Sequence, residues 1–265
     1  MNILDTIIAH KREEIKINKS KVKTADLEGR EFFSRKTFSL KEFLLNKEKT
    51  GIIAEFKRKS PSKGIINDKV DVLDVTKGYT DSGASCLSVL TDEHFFGGND
   101  ADLIKARVNE IPILRKEFII DEYQVLEAKS IGADVILLIA ACLTVDEVKR
   151  LAGFARKLGL EVLLELHDEE ELGHICEETE IVGINNRNLK TFVVDIDRSL
   201  RMAEKIPTGK IKVAESGISS PENIILFKEN GFHGFLIGEN FMKETNPTIA
   251  FARFVNQLKQ KQHEN

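Results

Sequence analysis

Short apolar runs recur along most of the chain, and the segments between them have a different hydrophobic period. The runs have the length and β-branched content typical of buried strands, and they cover residues 51–56, 84–90, 112–114, 134–139, 160–166, 181–184, 211–214 and 234–237. Between them, apolar residues recur at helical spacing, as in Val145, Val148, Leu151, Ala152 and Ala155. The pattern predicts eight strands that alternate with helices to the end of the chain.

Glycines and capping residues mark the boundaries of these helices. A glycine in the left-handed conformation commonly ends a helix, and four glycines each follow a helical segment and precede a strand, namely Gly83, Gly132, Gly159 and Gly231. Thr144 and Glu147 have the spacing of a capping box. Ser220-Pro221 and Asn246-Pro247 each place a side-chain cap before a first-turn proline.

Strands that are each followed by a helix require right-handed parallel crossovers, which either close into a barrel or spread into a doubly wound sheet. Eight units favour closure. No Gly-x-Gly-x-x-Gly follows the first strand, which weakens the dinucleotide-binding alternative. We therefore predict an α/β fold, a single (β/α)8 TIM barrel with an N-terminal helical extension.

The length of 265 residues fits one such barrel. Residues 2–18 and 38–45 read as extra helices ahead of the first strand, joined by a charged stretch. We predict a single domain over residues 1–265, in which residues 1–48 form a helical extension that caps the barrel and residues 49–265 hold the eight βα units.

Composition and charge predict a folded protein without a polyanionic partner. Hydrophobic residues make up 42% of the chain and charged residues 31%, and the net charge is -4, so a sizeable core can form. Basic and acidic residues are interspersed, which disfavours nucleic acid as a partner. The apolar stretch at residues 134–142 is too short to cross a membrane, and the N-terminus lacks a signal-peptide pattern. We expect a cytoplasmic protein without a membrane partner.

The cysteines and histidines indicate neither disulfides nor a metal. Cys86, Cys142 and Cys176 are odd in number and have no Cys-x-x-Cys spacing, so we predict three reduced core residues. No histidine stands at zinc-ligand spacing from another histidine, a cysteine or an acid. We therefore expect neither a metal nor a cofactor.

Polar residues end most of the predicted strands, and this is where a barrel carries its active site. The first strand runs into Glu55, Lys57 and Lys59, which strand alternation places on one side, the expected barrel mouth. Later strands end in Arg115-Lys116, Glu165-Leu-His167, Asn185-Asn-Arg187 and Glu215-Ser-Gly217. Acids and bases crowded around such a mouth shift one another's pKa and exchange protons. The pattern predicts proton-transfer chemistry without a cofactor.

Two glycine turns predict a phosphate site. Residues 215–218 and 237–239 follow the seventh and eighth strands, whose loops form the usual phosphate cradle of this architecture. Backbone N–H groups at such turns bind an anion, and Lys59 would add positive charge from the first loop. The expected substrate is a small phosphate ester with a reactive carbonyl or hydroxyl.

The segment at residues 55–64, Glu-Phe-Lys-Arg-Lys-Ser-Pro-Ser-Lys-Gly, closely resembles the first-strand signature of indole-3-glycerol-phosphate synthases. Similar family motifs follow in order over nearly the whole chain, at residues 88–92, 96–98, 115–121, 132–134, 163–165, 183–189, 214–218 and 236–239. The first-strand and sixth-strand motifs are highly specific together. Small departures from the family pattern are Glu117, Asn99 and Asn240.

The resemblance implies an enzyme of tryptophan biosynthesis, a carboxy-lyase that closes, decarboxylates and dehydrates 1-(2-carboxyphenylamino)-1-deoxyribulose 5-phosphate to indole-3-glycerol phosphate. Lys116 matches the general acid that protonates the ketone, and we expect neighbouring cations to ease its deprotonation. Glu165 matches the catalytic carboxylate. Lys57 either holds the departing carboxylate or acts as an acid when the hydroxyl leaves. Glu55 and Asn185 match positions that orient the part of the substrate that closes the ring.

The resemblance also implies a set of substrate-binding residues. Phe96 and Leu137 would wall the anthranilate ring. The other members orient the substrate or belong to the phosphate environment, and they are Arg187, Glu215, Ser216, Gly217, Gly238, Glu239, Lys59 and Ser60. We predict a monomer, and leave open a weak association with other enzymes of the tryptophan pathway.

Some of these residues have a structural interpretation as well. Glu55 and Glu165 are also suited to be the ion-pair partners of the two lysines, and both interpretations can hold at once. Arg187 is as well suited to brace the rim through Glu215 as to contact substrate. His167 is predicted to support the site rather than to react. The run at residues 11–16 is predicted to be a solvated helix face.

Two rival functions remain compatible with a barrel. A sugar-phosphate isomerase needs an acid and a base but no lysine-rich first strand, so Glu55, Lys57 and Lys116 argue against it. An inactive barrel that serves as a scaffold should have lost charged residues at its strand ends, and this chain retains them.

Overall fold

Eight parallel strands close into a barrel in the computed structural model, which describes residues 3–188 and 193–264. In chain order the strands are β1 Ile52–Phe56, β2 Cys86–Leu90, β3 Ile113–Lys116, β4 Val135–Ile139, β5 Glu161–Leu166, β6 Ile181–Asn185, β7 Ile211–Glu215 and β8 Phe232–Ile237. Each strand pairs with the next, and β8 closes on β1 with Phe235 opposite Ile52. The prediction of a (β/α)8 barrel is confirmed.

Helices connect the strands around this barrel. The longer ones are Val72–Asp81, Asp100–Ala106, Glu122–Ser130, Val145–Lys157, Ile196–Ala203, Pro221–Glu229 and Pro247–Glu264, and the shorter ones are Glu93–Phe96, Ala140–Cys142 and Glu239–Met242. After β5 the described connection holds the 3₁₀ helix Glu169–His174 instead of an α-helix. Residues 168–171 are all acidic, so this segment lacks the apolar stripe that an α-helix would pack against the barrel.

The predicted helix boundaries are present in the structure. The four boundary glycines all have positive φ, from 74° at Gly159 to 101° at Gly83, as a left-handed helix end requires. Thr144 and Glu147 form a capping box. The backbone N–H of Ile249 donates to Asn246 Oδ1 at 3.0 Å. Local sequence therefore sets these ends.

Three helices precede the barrel, namely α1 Ile3–Lys21, α2 Thr24–Glu28 and α3 Leu40–Leu45. The predicted charged connection contains α2, which the sequence pattern did not show. Leu40 and Leu44 of α3 belong to one buried cluster with Val135, Ile181 and Ile211, which begin β4, β6 and β7. The helix α3 therefore closes the end of the barrel at which the strands begin.

Asp134, just before β4, ties the N-terminal extension to the barrel. Its side chain is fully buried. Oδ1 accepts the backbone N–H of Phe38 at 2.8 Å, and Oδ2 accepts that of Ile113 at 2.8 Å. Arg35 and Arg107 both donate to the same carboxylate. One carboxylate thus joins a barrel strand, a helix end and the segment between α2 and α3.

Cys86, Cys142 and Cys176 are free thiols. Cys86 is buried. Cys142 is half-buried and packs against the hydrophobic core. Cys176 is half-buried and is not among the described residues of the core clusters, so the prediction of a core residue is wrong for Cys176, which lies in a loop after a helix. Within residues 3–188 and 193–264, none of the helices combines the length and the apolar content needed to span a membrane.

Candidate active site

A cavity of about 340 Å³ opens where the barrel strands end. Of the residues predicted for the site, those that line it are Glu55, Lys57, Ser60, Phe96, Lys116, Leu137, Glu165, Asn185, Arg187, Glu215, Ser216, Gly217, Gly238 and Glu239. Their roles stay predictions. Polar groups cluster at the strand ends, while apolar side chains and α1 form the remaining wall.

Lys116, the last residue of β3, lies between two carboxyl groups. Its Nζ is 3.0 Å from Glu165 Oε2 and 3.1 Å from Glu215 Oε2. Burial by itself lowers the pKa of Lys116, but the charges of Glu165, Glu215 and Glu55 outweigh burial and raise the pKa above its usual range. The expectation that neighbouring cations ease deprotonation is wrong, because carboxyl groups surround the amine. Lys116 is therefore protonated at neutral pH.

The two carboxyl groups beside Lys116 have opposite pKa shifts. Burial raises the pKa of both. In Glu165, Lys116, His167 and Asn185 outweigh burial and hold the pKa well below its usual range. In Glu215, burial and the charge of Glu165 outweigh Lys116 and raise the pKa to about 8. At neutral pH the lysine therefore has an ionised base on one side and a protonated acid on the other, a pairing typical of acid–base catalysis.

Two neighbours hold Glu165 in place. Asn185 Nδ2 donates to Glu165 Oε1 at 3.0 Å, and His167 Nε2 lies 2.9 Å from the same oxygen. Burial lowers the pKa of His167, but Glu165 and the nearby acids reverse that effect and raise it. His167 lines the cavity and lies just after β5. The contact with Glu165 agrees with the prediction that His167 holds the site in place rather than reacting.

Glu55 and Lys57 form a second charged pair in the cavity. Lys57 Nζ lies 2.8 Å from Glu55 Oε1, and Ser88 Oγ donates to Glu55 Oε2 at 3.4 Å. Glu55 is buried and Lys57 half-buried. The structural ion pairs considered for Glu55 and Glu165 are therefore both present, and their members also face the cavity.

Lys59 is placed differently from the prediction. Strand β1 ends at Phe56, and Lys59 begins a two-stranded hairpin of Lys59–Ser60 with Gly64–Ile65. Its Nζ donates to the carbonyl oxygen of His94 at 2.8 Å, and Lys59 is not among the described residues that line the cavity. The prediction that it faces the mouth is wrong, because the hairpin that follows β1 brings the Lys59 side chain to the backbone of His94.

The partner of Arg187, in the loop after β6, differs from the one that was expected. Arg187 Nη2 lies 3.5 Å from Glu239 Oε2, so the rim contact seen for Arg187 is with Glu239 and not with Glu215. Arg187 lies in the loop after β6 and Glu239 lies just after β8, with β7 between these two strands, so the pairing depends on how the two loops lie. Leu189, the last residue of the sixth-strand motif, is outside the described residues.

Two glycines leave the space that the buried carboxylates occupy. A Cβ on Gly183, in β6, would lie 2.1 Å from Glu215 Oε1. A Cβ on Gly238, just after β8, would lie 2.6 Å from Glu55 Oε1. These distances are too short for any side chain, so glycine at each position makes room for the acid beside it.

The apolar side of the cavity includes residues that the sequence analysis did not assign. The rings of Phe96 and Phe118 lie 5.9 Å apart with an angle of 36° between their planes. Phe118 stands two residues after Lys116, and alternation past β3 was a usable signal for it. Ile3, Leu4 and Ile7 of α1 also line the cavity, but no local signal shows where a preceding helix will pack.

A metal centre is absent from the described part of the chain, where no cluster of histidine, cysteine and acidic side chains is suited to hold an ion. The lysines, carboxyl groups and aromatic rings that line the cavity are suited to bind anions and aromatic rings and to transfer protons.

Known proteins resemble this chain in sequence over most of its length. Residues 4–254 match the family model described as Indole-3-glycerol phosphate synthase. A protein of that name from Bacteroides thetaiotaomicron is 45% identical over 258 residues, which cover 97% of this chain and 99% of the relative. Another from Magnetococcus marinus is 42% identical over 264 residues, covering 96% and 98%.

Solved structures show the same fold at lower sequence identity. The tryptophan synthase subunit alpha from Legionella pneumophila has a TM-score of 0.63 at 14% identity, and the match covers 85% of this chain and 98% of that one. This likeness supports the barrel fold alone. The sequence matches cover nearly the whole chain at much higher identity, and they show that the chain belongs to the indole-3-glycerol phosphate synthase family.

Proposed function

We propose that the protein converts 1-(2-carboxyphenylamino)-1-deoxyribulose 5-phosphate to indole-3-glycerol phosphate, carbon dioxide and water, as a carboxy-lyase of tryptophan biosynthesis. The observation that carries the proposal is the placement of Lys116 between an ionised Glu165 and a protonated Glu215. This group lies in a cavity with aromatic walls. The substrate supplies an aromatic ring, a ketone and a phosphate.

Ring closure requires an acid at the ketone. The ring carbon that bears the carboxylate forms a bond to the ketone carbon, and the electrons of the carbonyl double bond take up a proton. Lys116 donates that proton, because it is charged at neutral pH. Glu215, 3.1 Å away and protonated, returns a proton to the amine. The acid is thereby restored inside the cavity.

Decarboxylation and dehydration follow on the closed ring. The bond to the carboxylate breaks, carbon dioxide leaves, and the bonding electrons restore the aromatic ring. The hydroxyl takes up a proton from Lys57 or from the restored ammonium of Lys116 and leaves as water. Glu165 takes the proton from the carbon beside the nitrogen as the new double bond forms. Asn185 and His167 hold Glu165 ionised for this step. Two tasks are open to Lys57, either holding the departing carboxylate or protonating the hydroxyl.

The remaining site residues are proposed to bind and orient the substrate. Loops after the seventh and eighth strands of such barrels commonly hold phosphate, and Ser216, Gly217, Gly238 and Glu239 lie in those loops on the cavity wall. Ser60 also lines the cavity, and it follows β1, the strand that pairs with β8. We further propose that the whole chain acts as one domain, since α1 and the strand ends share one cavity, and that the protein is a cytoplasmic monomer.

The proposed activity is tested by giving the purified protein the carboxyphenylamino substrate and following indole fluorescence. We expect signal without added metal or nucleotide. The control is the same protein without substrate. A well-folded protein that gives no signal would overturn the proposal.

The two carboxyl groups beside Lys116 are expected to respond differently to the same substitution. Glu165→Gln removes an ionised base and should lower kcat by about 10² to 10⁴-fold. Glu215→Gln keeps the neutral form that the raised pKa favours but cannot return a proton to Lys116, so we expect a smaller loss, of about tenfold to thirtyfold. The measurement is kcat at about pH 7, and each variant is the matched control of the other.

The same pair predicts a pH effect. Because the pKa of Glu215 is raised to about 8, its proton is present at neutral pH and is lost as the pH rises through that value. We expect kcat/KM of the unmodified protein to fall on this alkaline side, and Glu215→Gln to lack that fall. Equal losses in the two variants, or an alkaline fall that persists in Glu215→Gln, would contradict the assignment.

A further inference from the structure

Lys11 is a fully buried lysine on α1. Its Nζ lies 2.8 Å from Asp92 Oδ2, 3.1 Å from Glu117 Oε1 and 2.9 Å from Glu14 Oε1. The side chain is 0% exposed, so the prediction of a solvated helix face is wrong at this position. The helix turns Lys11 toward the rim residues that follow β2 and β3. A buried ion cluster often adds little to stability. The function of this cluster is therefore sought in the segments that it holds in place.

Asp92 connects this lysine to one aromatic wall. While Oδ2 faces Lys11, Oδ1 accepts the backbone N–H groups of Phe95 at 2.6 Å and Phe96 at 3.2 Å. Asp92 is thus the N-cap of the short helix Glu93–Phe96. This helix carries Phe96, whose side chain lines the cavity.

Glu117 connects the same lysine to the second wall. Its Oε1 faces Lys11 and also accepts the backbone N–H of Phe118 at 2.8 Å. Its Oε2 accepts the hydroxyl of Thr91 at 3.0 Å. Phe118 also lines the cavity. The carboxylate of Glu117 therefore holds the backbone of Phe118, the residue that carries this ring.

A single ammonium group thus joins the three apolar sides of the cavity. It belongs to α1, whose residues Ile3 and Ile7 line the cavity, and its two acidic partners hold the backbone of Phe96 and Phe118. The two rings lie 5.9 Å apart. The three sides come from distant parts of the sequence, and the ring contact between Phe96 and Phe118 and the stacking of His10 of α1 on His94 also join them.

We infer that Lys11 is a positioning residue that sets the spacing of the Phe96 and Phe118 walls and thereby the affinity for the aromatic ring of the substrate. The inference rests on the proposed function for the identity of that ring. Lys11 is not among the described residues that line the cavity. Its effect therefore falls on binding rather than on the bonds that form and break.

The test compares Lys11→Met with Lys19→Met. Lys19 is on the same helix and pairs with Asp121 at 2.8 Å, but it is exposed and does not line the cavity. We expect Lys11→Met to raise KM by about tenfold or more with kcat within about threefold of the unmodified protein. Lys19→Met should leave KM within about twofold.

A merely structural role predicts a different result. Loss of folded protein lowers the amount of active enzyme, and so the apparent kcat, while KM of the folded fraction stays the same. An unchanged KM in Lys11→Met overturns the inference. If Lys11→Met does not fold, Asp92→Asn and Glu117→Gln keep the shape of each link and remove its charge, and the same KM criterion applies to them.

A second readout does not depend on turnover. Anthranilate resembles the aromatic half of the proposed substrate, and its own fluorescence reports its binding. We expect Lys11→Met, but not Lys19→Met, to weaken anthranilate binding by about fivefold or more. If the unmodified protein is inactive but the two variants still differ in anthranilate binding, the proposed function is wrong and the positioning role of Lys11 stands. If the unmodified protein is active but Lys11→Met binds anthranilate normally, the proposed function stands and the positioning role is wrong.

Discussion

Replacing Lys116 with methionine is expected to lower kcat by about 10² to 10⁴-fold, which is the usual contribution of a positioned proton donor. Methionine keeps an unbranched side chain, one atom shorter, but removes the ammonium that lies between Glu165 and Glu215. The ketone oxygen then has no charged donor as the ring closes. The measurement is the rate of indole fluorescence at saturating substrate.

The same substitution should cost some stability. Glu165 loses a buried ion-pair partner but keeps Asn185 and His167, and Glu215 is already protonated at neutral pH. We expect a loss of about 1 to 3 kcal/mol in the free energy of unfolding. Lys157→Met, at an exposed helix end, is the control and should change stability by less than about 0.5 kcal/mol. If Lys116→Met retains kcat within tenfold, Lys116 is not the acid.

Replacing Asp134 with alanine is expected to lower the free energy of unfolding by about 3 to 5 kcal/mol, the usual cost of removing one partner of a buried ion pair. The change strands the buried guanidinium of Arg107 and leaves the N–H groups of Phe38 and Ile113 without their acceptor. For a domain of this size, that loss lowers Tm by about 5 to 10 °C. The measurement is thermal unfolding followed by circular dichroism.

A measurement of activity distinguishes this loss of stability from a change at the active site. Asp134 precedes β4, at the end of the barrel opposite to the cavity, so kcat per folded molecule should stay within about twofold. Asp68→Ala, in an exposed loop, is the matched control and should leave Tm nearly unchanged. A variant at Asp134 with the Tm of the unmodified protein would show that the cluster adds no net stability.

The parts of the fold that local sequence determines could be predicted. The strands follow from apolar runs, and the helix ends at Gly83 and Thr144 follow from backbone freedom and capping. The helix α2 and the 3₁₀ helix after β5 could not be predicted. Both are short, and the contacts that stabilise such segments come from elements distant in sequence.

The site followed a similar division. Strand-end position located Lys116, Glu165 and Glu215 at one cavity, because the ends of parallel strands meet at one face of a barrel. Which groups would surround Lys116 could not be predicted, since that depends on the stagger of strands around the barrel. The burial of Lys11 is a long-range result as well, because its acidic partners lie on segments far along the chain.

The missing side chain at Gly183 constrains how this sequence can change over generations. Because Glu215 Oε1 lies 2.1 Å from the place of a Cβ on Gly183, a substitution at position 183 requires the end of the Glu215 side chain to shift. That shift would disturb the contact between Glu215 and Lys116. The two positions are therefore coupled, so the effect of a substitution at 183 depends on which residue stands at 215.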